Sequence, residues 1–381
     1  MNSDWKIPLY KIYSDDEDVK LVTKVIKRGN FWAIGPEIDE FEKELSKYVG
    51  SDYCVALNSG TSALHATLLS YGVKQNDEVI VPSFSFISTA NSVLFVNAKP
   101  VFSDIEEEHL GLDPKILSSK ISSKTKAIIP MDYGGLPCKI IELKEFADEN
   151  NITLIEDSAE SLGAKVNGKK IGNISNASIF SFCGNKVMTT GEGGAVTTNS
   201  KEVYEKLKLI RSHGRIEKIS YFENPMDSEY SEIGYNWRIS AITAALGLSQ
   251  LAKLDKLIRM RQEVANFFTS RLSQYTQIQT PKIIQGYENI FQMYTIRLPN
   301  EMLRDKLHQF LLGKKIFCKI YFSPIHLRNY YKLKFGTKEN DLPNTEKISK
   351  QVLTLPMYPN MTNEEKSYVI ESIDEFFELN S

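Results

Sequence analysis

Lys186 stands in the stretch SFCGNKVMTTGEGGAV, four residues after the apolar run Ile179-Phe180-Ser181-Phe182 and shortly before Gly191, Gly193 and Gly194. An ammonium seated between a strand-like run and a tight turn is either held there for an anion or kept there as an amine nucleophile. A second feature lies upstream, where ITLIEDSAES ends a hydrophobic run on Glu156 and Asp157. A carboxylate at the end of a buried strand is costly unless it meets a partner. A protonated pyridine nitrogen is one such partner; a role as helix N-cap is the other reading of Asp157. The third feature, VALNSGTSALHATLL, reads as a strand, a Ser59-Gly60-Thr61 turn and a helix. Free amides and the dipole at a helix start bind phosphate, although a plain capped helix looks the same. The stretch also lacks the glycine–lysine spacing of a nucleotide P-loop.

Taken singly, the three reduce to a surface charge and two helix caps. Taken together, they occur in the order Thr61, Asp157, Lys186. A phosphate cup, a carboxylate for a pyridinium and an amine for a Schiff base are the parts that pyridoxal phosphate needs.

The elements that must position these groups are legible from periodicity. DEVIVPSF, KPVFSDI, TKAIIPMD, ITLIEDSA and ASIFSF read as buried strands rich in Val, Ile and Phe. SALHATLLSYG and KIIELKEFADEN between them carry helical spacing, with Leu64, Leu68 and Tyr71 on one face. Alternating strands and helices predict an α/β fold with a mostly parallel sheet covered on both sides and ligands at the strands' carboxyl ends. The run SAITAALGLSQLAKLDKLIRMRQEVANFF predicts one long helix, with Ile242, Leu246, Leu251, Leu254 and Ile258 along a stripe. Residues 1–254 are expected to form the large domain and 255–381 a smaller C-terminal α+β domain. The N-terminal segment of about residues 1–35 is expected to pack on the small domain.

Bulk composition narrows the function classes. A net charge of −2 gives no basic face for nucleic acid. No apolar stretch approaches the length that spans a bilayer, and the acidic, polar first twenty residues do not resemble a signal peptide. The expected location is therefore the cytoplasm, with no nucleic-acid or membrane partner. Cys54, Cys138, Cys183 and Cys318 are scattered, without zinc spacing, and are expected to be free buried thiols; no metal is expected.

In GPEIDEFEKELSKYVG, the ALNSGTSALHATLL segment, IEDSAESLGA, IFSFCGNKVMTTGEGGAV, GYNWRISAITAALGLSQL and YFSPIH, the chain resembles the DegT/DnrJ/EryC1/StrS sugar aminotransferases, within the fold-type I pyridoxal phosphate transferases. The resemblance runs over nearly the whole length. It implies Lys186 as the Schiff-base lysine, Asp157 as partner of the pyridine nitrogen, and Glu160 near the ring hydroxyl. It implies Phe86 as the aromatic on the ring face, and Gly60, Thr61 and Ser181 around the phosphate. Asn236 is implied to reach the phosphate in the partner subunit of a homodimer with shared sites. Relatives with histidine in place of the lysine deoxygenate their sugars, and the retained Lys186 favours transamination.

The expected reaction is amino transfer from glutamate to a nucleotide-linked keto-deoxysugar. GNK followed by TTGEGG resembles enzymes that aminate C4 of 4-keto-6-deoxyhexoses, such as perosamine synthases. Alternatives are amination at C3, a cofactor-dependent sugar dehydratase, and a ligand-sensing regulator, for which no helix-turn-helix or basic patch is evident. Trp32, Tyr321 and His326 are candidates to line the sugar pocket, each with a packing role as the other reading.

Overall fold

The structure is a computed structural model that describes residues 5–216 and 229–380. Strands β1 (Tyr53–Leu57), β2 (Glu78–Pro82), β3 (Lys99–Ser103), β4 (Thr125–Ile128) and β5 (Thr153–Asp157) precede a small hairpin, β6 (Lys165–Val166) and β7 (Lys169–Lys170). Then come β8 (Ala177–Ser181) and β9 (Gly194–Thr198). The main sheet has seven strands in the order β1-β9-β8-β5-β4-β2-β3, and β9 alone runs against the other six. The mostly parallel sheet read from the sequence is the one observed, and its five quoted runs are β2, β3, β4, β5 and β8.

Side-chain alternation divides the core into two layers. On β1, Val55 and Leu57 join Leu64 and Leu68 of α3 (Gly60–Ser70), Val93 of α4 (Ile87–Phe95) and Leu207 of α6 (Lys201–Arg211). Cys54 and Ala56 point the other way, towards Phe41 and Leu45 of α2 (Pro36–Val49) and Leu143 of α5 (Ile140–Glu149). On β5, Leu154 belongs to the second layer and Ile155 to the first. Glu156 and Asp157 therefore leave the same strand on opposite faces.

The run expected to form one helix is two, α7 (Ala241–Ala252) and α8 (Leu254–Leu272). They break at Lys253, whose φ and ψ are −107° and 5°. The Lys253 ammonium is drawn to Asp15 and Asp18, which bracket the start of α1 (Asp16–Arg28). A tertiary ion pair thus overrides a sequence pattern that carries no glycine or proline to announce the break.

The hydrophobic clusters interleave along the chain. Leu254, Leu257 and Ile258 of α8 pack with the sheet, whereas Phe268 and Leu272 of the same helix join a C-terminal cluster. That cluster holds β11 (Tyr294–Arg297) and β12 (Val352–Leu355), a two-stranded antiparallel sheet, with α9 (Glu301–Gly313) and α12 (Asn363–Leu379); β10 (Tyr287–Glu288) pairs with β6. Ile7 joins the same cluster, and its backbone pairs with Lys315 and Phe317. Helix α1 instead lies along α7, with Gln250 donating to Asp18 at 3.1 Å. Ile325 and Tyr331, from residues after the C-terminal cluster begins, pack into the sheet's first layer.

Candidate active site

The carboxyl ends of β1, β2, β4, β5 and β8 open onto one cleft of about 320 Å3. Gly60, Thr61, Phe86, Asp157, Glu160, Ser181, Lys186 and Tyr321 all line it. Eight of the candidates, drawn from segments spread over more than 250 positions, are thereby brought together.

Lys186 sits in the turn between β8 and β9, its N–H bonded to the Cys183 carbonyl at 3.0 Å. Its Nζ lies 3.3 Å from Oε1 of Glu160, and both side chains are largely buried. The other Glu160 oxygen accepts the Gly134 amide at 3.0 Å. Glycines close the turn for two distinct reasons. Gly191 needs φ of +84°, and a Cβ on Gly194 would meet the Ser59 carbonyl oxygen at 2.4 Å. The close approach permitted by the glycines is therefore to the start of α3, which locks the lysine turn against the anion end of the cleft.

At that end, Ser59 caps α3: its Oγ accepts the Ser62 amide at 3.1 Å and Ser62 Oγ takes the Ser59 amide at 3.2 Å. The cap leaves the Gly60 and Thr61 amides without an acceptor among the described residues. A Cβ on Gly60 would press on Ser181 at 3.0 Å, so only glycine keeps both groups at the cleft wall. Two free amides, a helix dipole and two hydroxyls make this an anion cradle. Capped helix and cradle are the same object.

Asp157 is 4% exposed. Its Oδ2 accepts from Thr89 Oγ1 at 2.7 Å, and Thr89 in turn contacts Ser85 Oγ at 2.7 Å. Its Oδ1 takes the Ala159 amide at 3.3 Å, in a turn that leads into no helix, so the N-cap reading lapses. Burial pushes its carboxyl above the ordinary range, while the Thr89 bond, the Ala159 amide and the Lys186 charge pull it back. Phe86, at the N-terminus of α4, presents its ring at 58% exposure above this floor. Anion cradle, amine, buried carboxylate and free aromatic face match the phosphate, aldehyde, ring nitrogen and ring plane of pyridoxal phosphate.

The profile of the DegT/DnrJ/EryC1/StrS aminotransferase family matches residues 13–374. The chain belongs to that family. It is a pyridoxal phosphate enzyme of fold type I, as its neighbours are. Among these, Helicobacter pylori PseC, described as an aminotransferase involved in the biosynthesis of pseudoaminic acid, superposes with a TM-score of 0.91 at 29% identity, covering 98% of this chain and 99% of that one. The GDP-perosamine synthase of Escherichia coli O157:H7 is 31% identical over 97% of this chain and 98% of its own. A UDP-4-amino-4,6-dideoxy-N-acetyl-β-L-altrosamine transaminase of Campylobacter jejuni is 34% identical over 94% of each.

Three candidates of this aminotransferase lie elsewhere. The expectation that His326 faces the sugar is corrected: the ring is fully buried, with Nδ1 2.6 Å from Ser83 Oγ and Nε2 3.2 Å from Glu346 Oε1. A histidine with both nitrogens engaged has nothing left for a ligand. Trp32 is 46% exposed, donates its indole N–H to the Val25 carbonyl, and stands outside this chain's cleft. Asn236 is exposed in a bridge with Ser212, also outside it.

Thr89, Gly134 and Lys319 escaped the sequence reading. The Ser85-Phe86-Ile87-Ser88-Thr89 run after β2 carried the hint of Thr89, since it puts hydroxyls in the first turn of α4, at the carboxyl end of β2. Cys183 departs from the expected burial of all four thiols: it is half-buried and lines the cleft. Among the described residues, no helix is long and apolar enough to cross a membrane.

Proposed function

We propose that this aminotransferase moves an amino group from glutamate to the keto carbon of a nucleotide-linked keto-deoxysugar, with C4 of a 4-keto-6-deoxyhexose as the position. The observation that carries the chemistry is the Lys186 amine, held 3.3 Å from Glu160 and facing the same cleft as Asp157 and the α3 cradle. Two relatives, a GDP-perosamine synthase and a UDP-4-amino-4,6-dideoxy-N-acetyl-β-L-altrosamine transaminase, support the nucleotide sugar and the C4 position.

The roles follow from the chemistry of each group. Bound pyridoxal phosphate supplies the carbon that accepts the amino group and a ring that spreads the electrons released at the donor's Cα. Lys186 anchors the cofactor and, once displaced, takes the Cα proton on Nζ and returns one to the acceptor carbon. Glu160 holds that nitrogen in place. Asp157, fixed by Thr89, keeps a proton on the ring nitrogen through its negative charge. Gly60, Thr61 and Ser181 bind the phosphate, and Phe86 stacks on the ring. Tyr321 borders the sugar's side of the cleft. Asn236 and Trp32, exposed in one chain, are assigned to the partner's site in a homodimer.

Incubating the holoenzyme with glutamate and a panel of 4-keto and 3-keto nucleotide sugars, read by mass, tests the reading. Expected are glutamate-dependent gain of the amine and preference for the 4-keto compounds. Preferential turnover of 3-keto substrates reverses the regiochemistry, and dehydration without amine gain selects the dehydratase. Mixing Lys186→Ala and Asn236→Ala chains should restore one working site per heterodimer. No recovery after verified subunit exchange removes the shared site.

A further inference from the structure

Among the described residues lining the cleft, only Lys186 and Lys319 carry positive charge, set against Asp157, Glu160 and Glu192. Lys186 is committed to Glu160 and to the chemistry. Lys319 is different: its Nζ stands 4.7 Å from the centre of the Tyr321 ring, with a π face where a surface lysine would usually find a carboxylate. Its side chain is exposed, yet its backbone is fixed. The Lys319 amide donates to the Thr354 carbonyl at 3.0 Å and its carbonyl accepts the Thr354 amide at 2.8 Å. Upstream, Phe317 N–H bonds to Ile7 at 2.9 Å; downstream, the Tyr321 carbonyl accepts from Tyr133 Oη at 2.6 Å. The extended segment that carries this ammonium is thus pinned by hydrogen bonds on both sides of Lys319.

Resting on the aminotransferase reading, we propose that Lys319 is a specificity-determining residue that binds an oxyanion of the substrate. Both substrates of that reading bring such oxygens into the cleft, the donor as carboxylate and the nucleotide sugar as diphosphate. The cofactor's own phosphate is held at Gly60, Thr61 and Ser181, so a second anion needs a second cation. Tyr321 beneath the ammonium steers it by limiting its rotamers and leaves its charge unneutralised until substrate arrives.

The test compares holoenzyme carrying Lys319→Ala, Lys319→Arg or no change. KM and kcat are measured for glutamate and for the nucleotide keto-sugar separately, and affinities for glutarate and inorganic pyrophosphate by calorimetry. Loss of one charged hydrogen bond corresponds to a rise of about 10- to 100-fold in KM or Kd, with kcat falling less, and Lys319→Arg restoring most of it. A shift confined to glutamate and glutarate assigns the donor carboxylate; one confined to the nucleotide sugar and pyrophosphate assigns the diphosphate; either supports the proposal. All four constants unmoved in Lys319→Ala, or a loss that arginine leaves uncorrected, overturns it. Should the unchanged enzyme take no amino group from glutamate, the aminotransferase reading fails by itself, and the calorimetric comparison still decides Lys319.

Discussion

Glu156 and Asp157 are adjacent on β5, both are shielded from water, and they meet opposite fates on the two faces of the sheet. Asp157 faces the cleft, where Thr89, the Ala159 amide and the field of Lys186 support its charge. Glu156 faces the inner layer. Ser178 donates to its Oε2 at 2.9 Å, but its Oε1 has no hydrogen-bond partner among the described residues, and Asp132 stands close by with Cys138. Burial and then the Asp132 charge drive the Glu156 carboxyl far above its ordinary range. Asp132 itself, in the same pocket, is pushed up to about 6 by burial. The pair teaches that a buried acid is a functional group only where something cationic can stand opposite. On the cleft face Lys186 supplies positive charge, to which the protonated ring of the proposed cofactor would add; on the inner face, where Asp132 adds a second acid, a proton is the simplest neutraliser.

Removing the amine of the cleft face should have the largest effect. Lys186→Ala is expected to lower turnover by about 10,000-fold, the upper end for loss of a positioned acid–base group, since the anchor goes with it. Borohydride reduction of the unchanged holoenzyme should place a stable cofactor label on Lys186; a label mapped to another lysine ends the assignment. Asp157→Asn comes next. It preserves shape and loses charge, so turnover should fall about 100- to 1,000-fold, as for loss of one preorganised electrostatic contact. Weakened cofactor binding, measured by dialysis and absorbance, should accompany the loss. An Asp157→Asn enzyme of near-normal rate would erase the contrast between the two faces.

How much of this was legible depends on how local each feature is. The strands, the α3 turn and Lys186 are written in contiguous runs, and the period of two alone puts Glu156 and Asp157 on opposite faces. What each acid meets was not legible, because the partners are distant in sequence: Thr89 lies 68 residues from Asp157, and Gly134 lies 26 from Glu160. His326 was misplaced for the same reason. Its partner Ser83 is 243 residues away, and a histidine after Pro-Ile gives no sign of which side it faces. The helix break at Lys253 depends on Asp15 and Asp18, which no periodicity around residue 253 encodes.

Thr89→Val sharpens the comparison by making Asp157 resemble Glu156. The substitution keeps the volume and deletes the hydroxyl that bonds Oδ2, which pushes the carboxyl further up and leaves one oxygen unsatisfied. Cofactor affinity should weaken about 10-fold, and Thr89→Ser should recover most of it. Failure of serine to recover binding would mean that the methyl group's packing, and not the hydrogen bond, is what Thr89 provides.

The smallest effect is expected on the inner face, where Glu156→Gln replaces a carboxyl with an amide of the same shape. If the buried Glu156 already carries its proton, the amide loses no charge. Its carbonyl can accept from Ser178, and its N–H groups can face Asp132 where the carboxyl proton did. Stability near neutral pH should therefore change by no more than about 1 kcal/mol, with cofactor binding retained. The pH dependence distinguishes this from indifference. An acid whose folded pKa lies above its unfolded value favours folding when protonated, and that contribution is lost as pH rises from the unfolded pKa through the folded one. As pH rises above the ordinary carboxyl range, the unchanged protein should lose stability more steeply than the Glu156→Gln variant, in which one of the two titrating acids is permanently neutral. Denaturant unfolding across that rise reads the difference directly. Parallel slopes, or a glutamine variant several kcal/mol less stable, would show Glu156 ionised and paired, and the two faces of β5 would then differ only in what they touch.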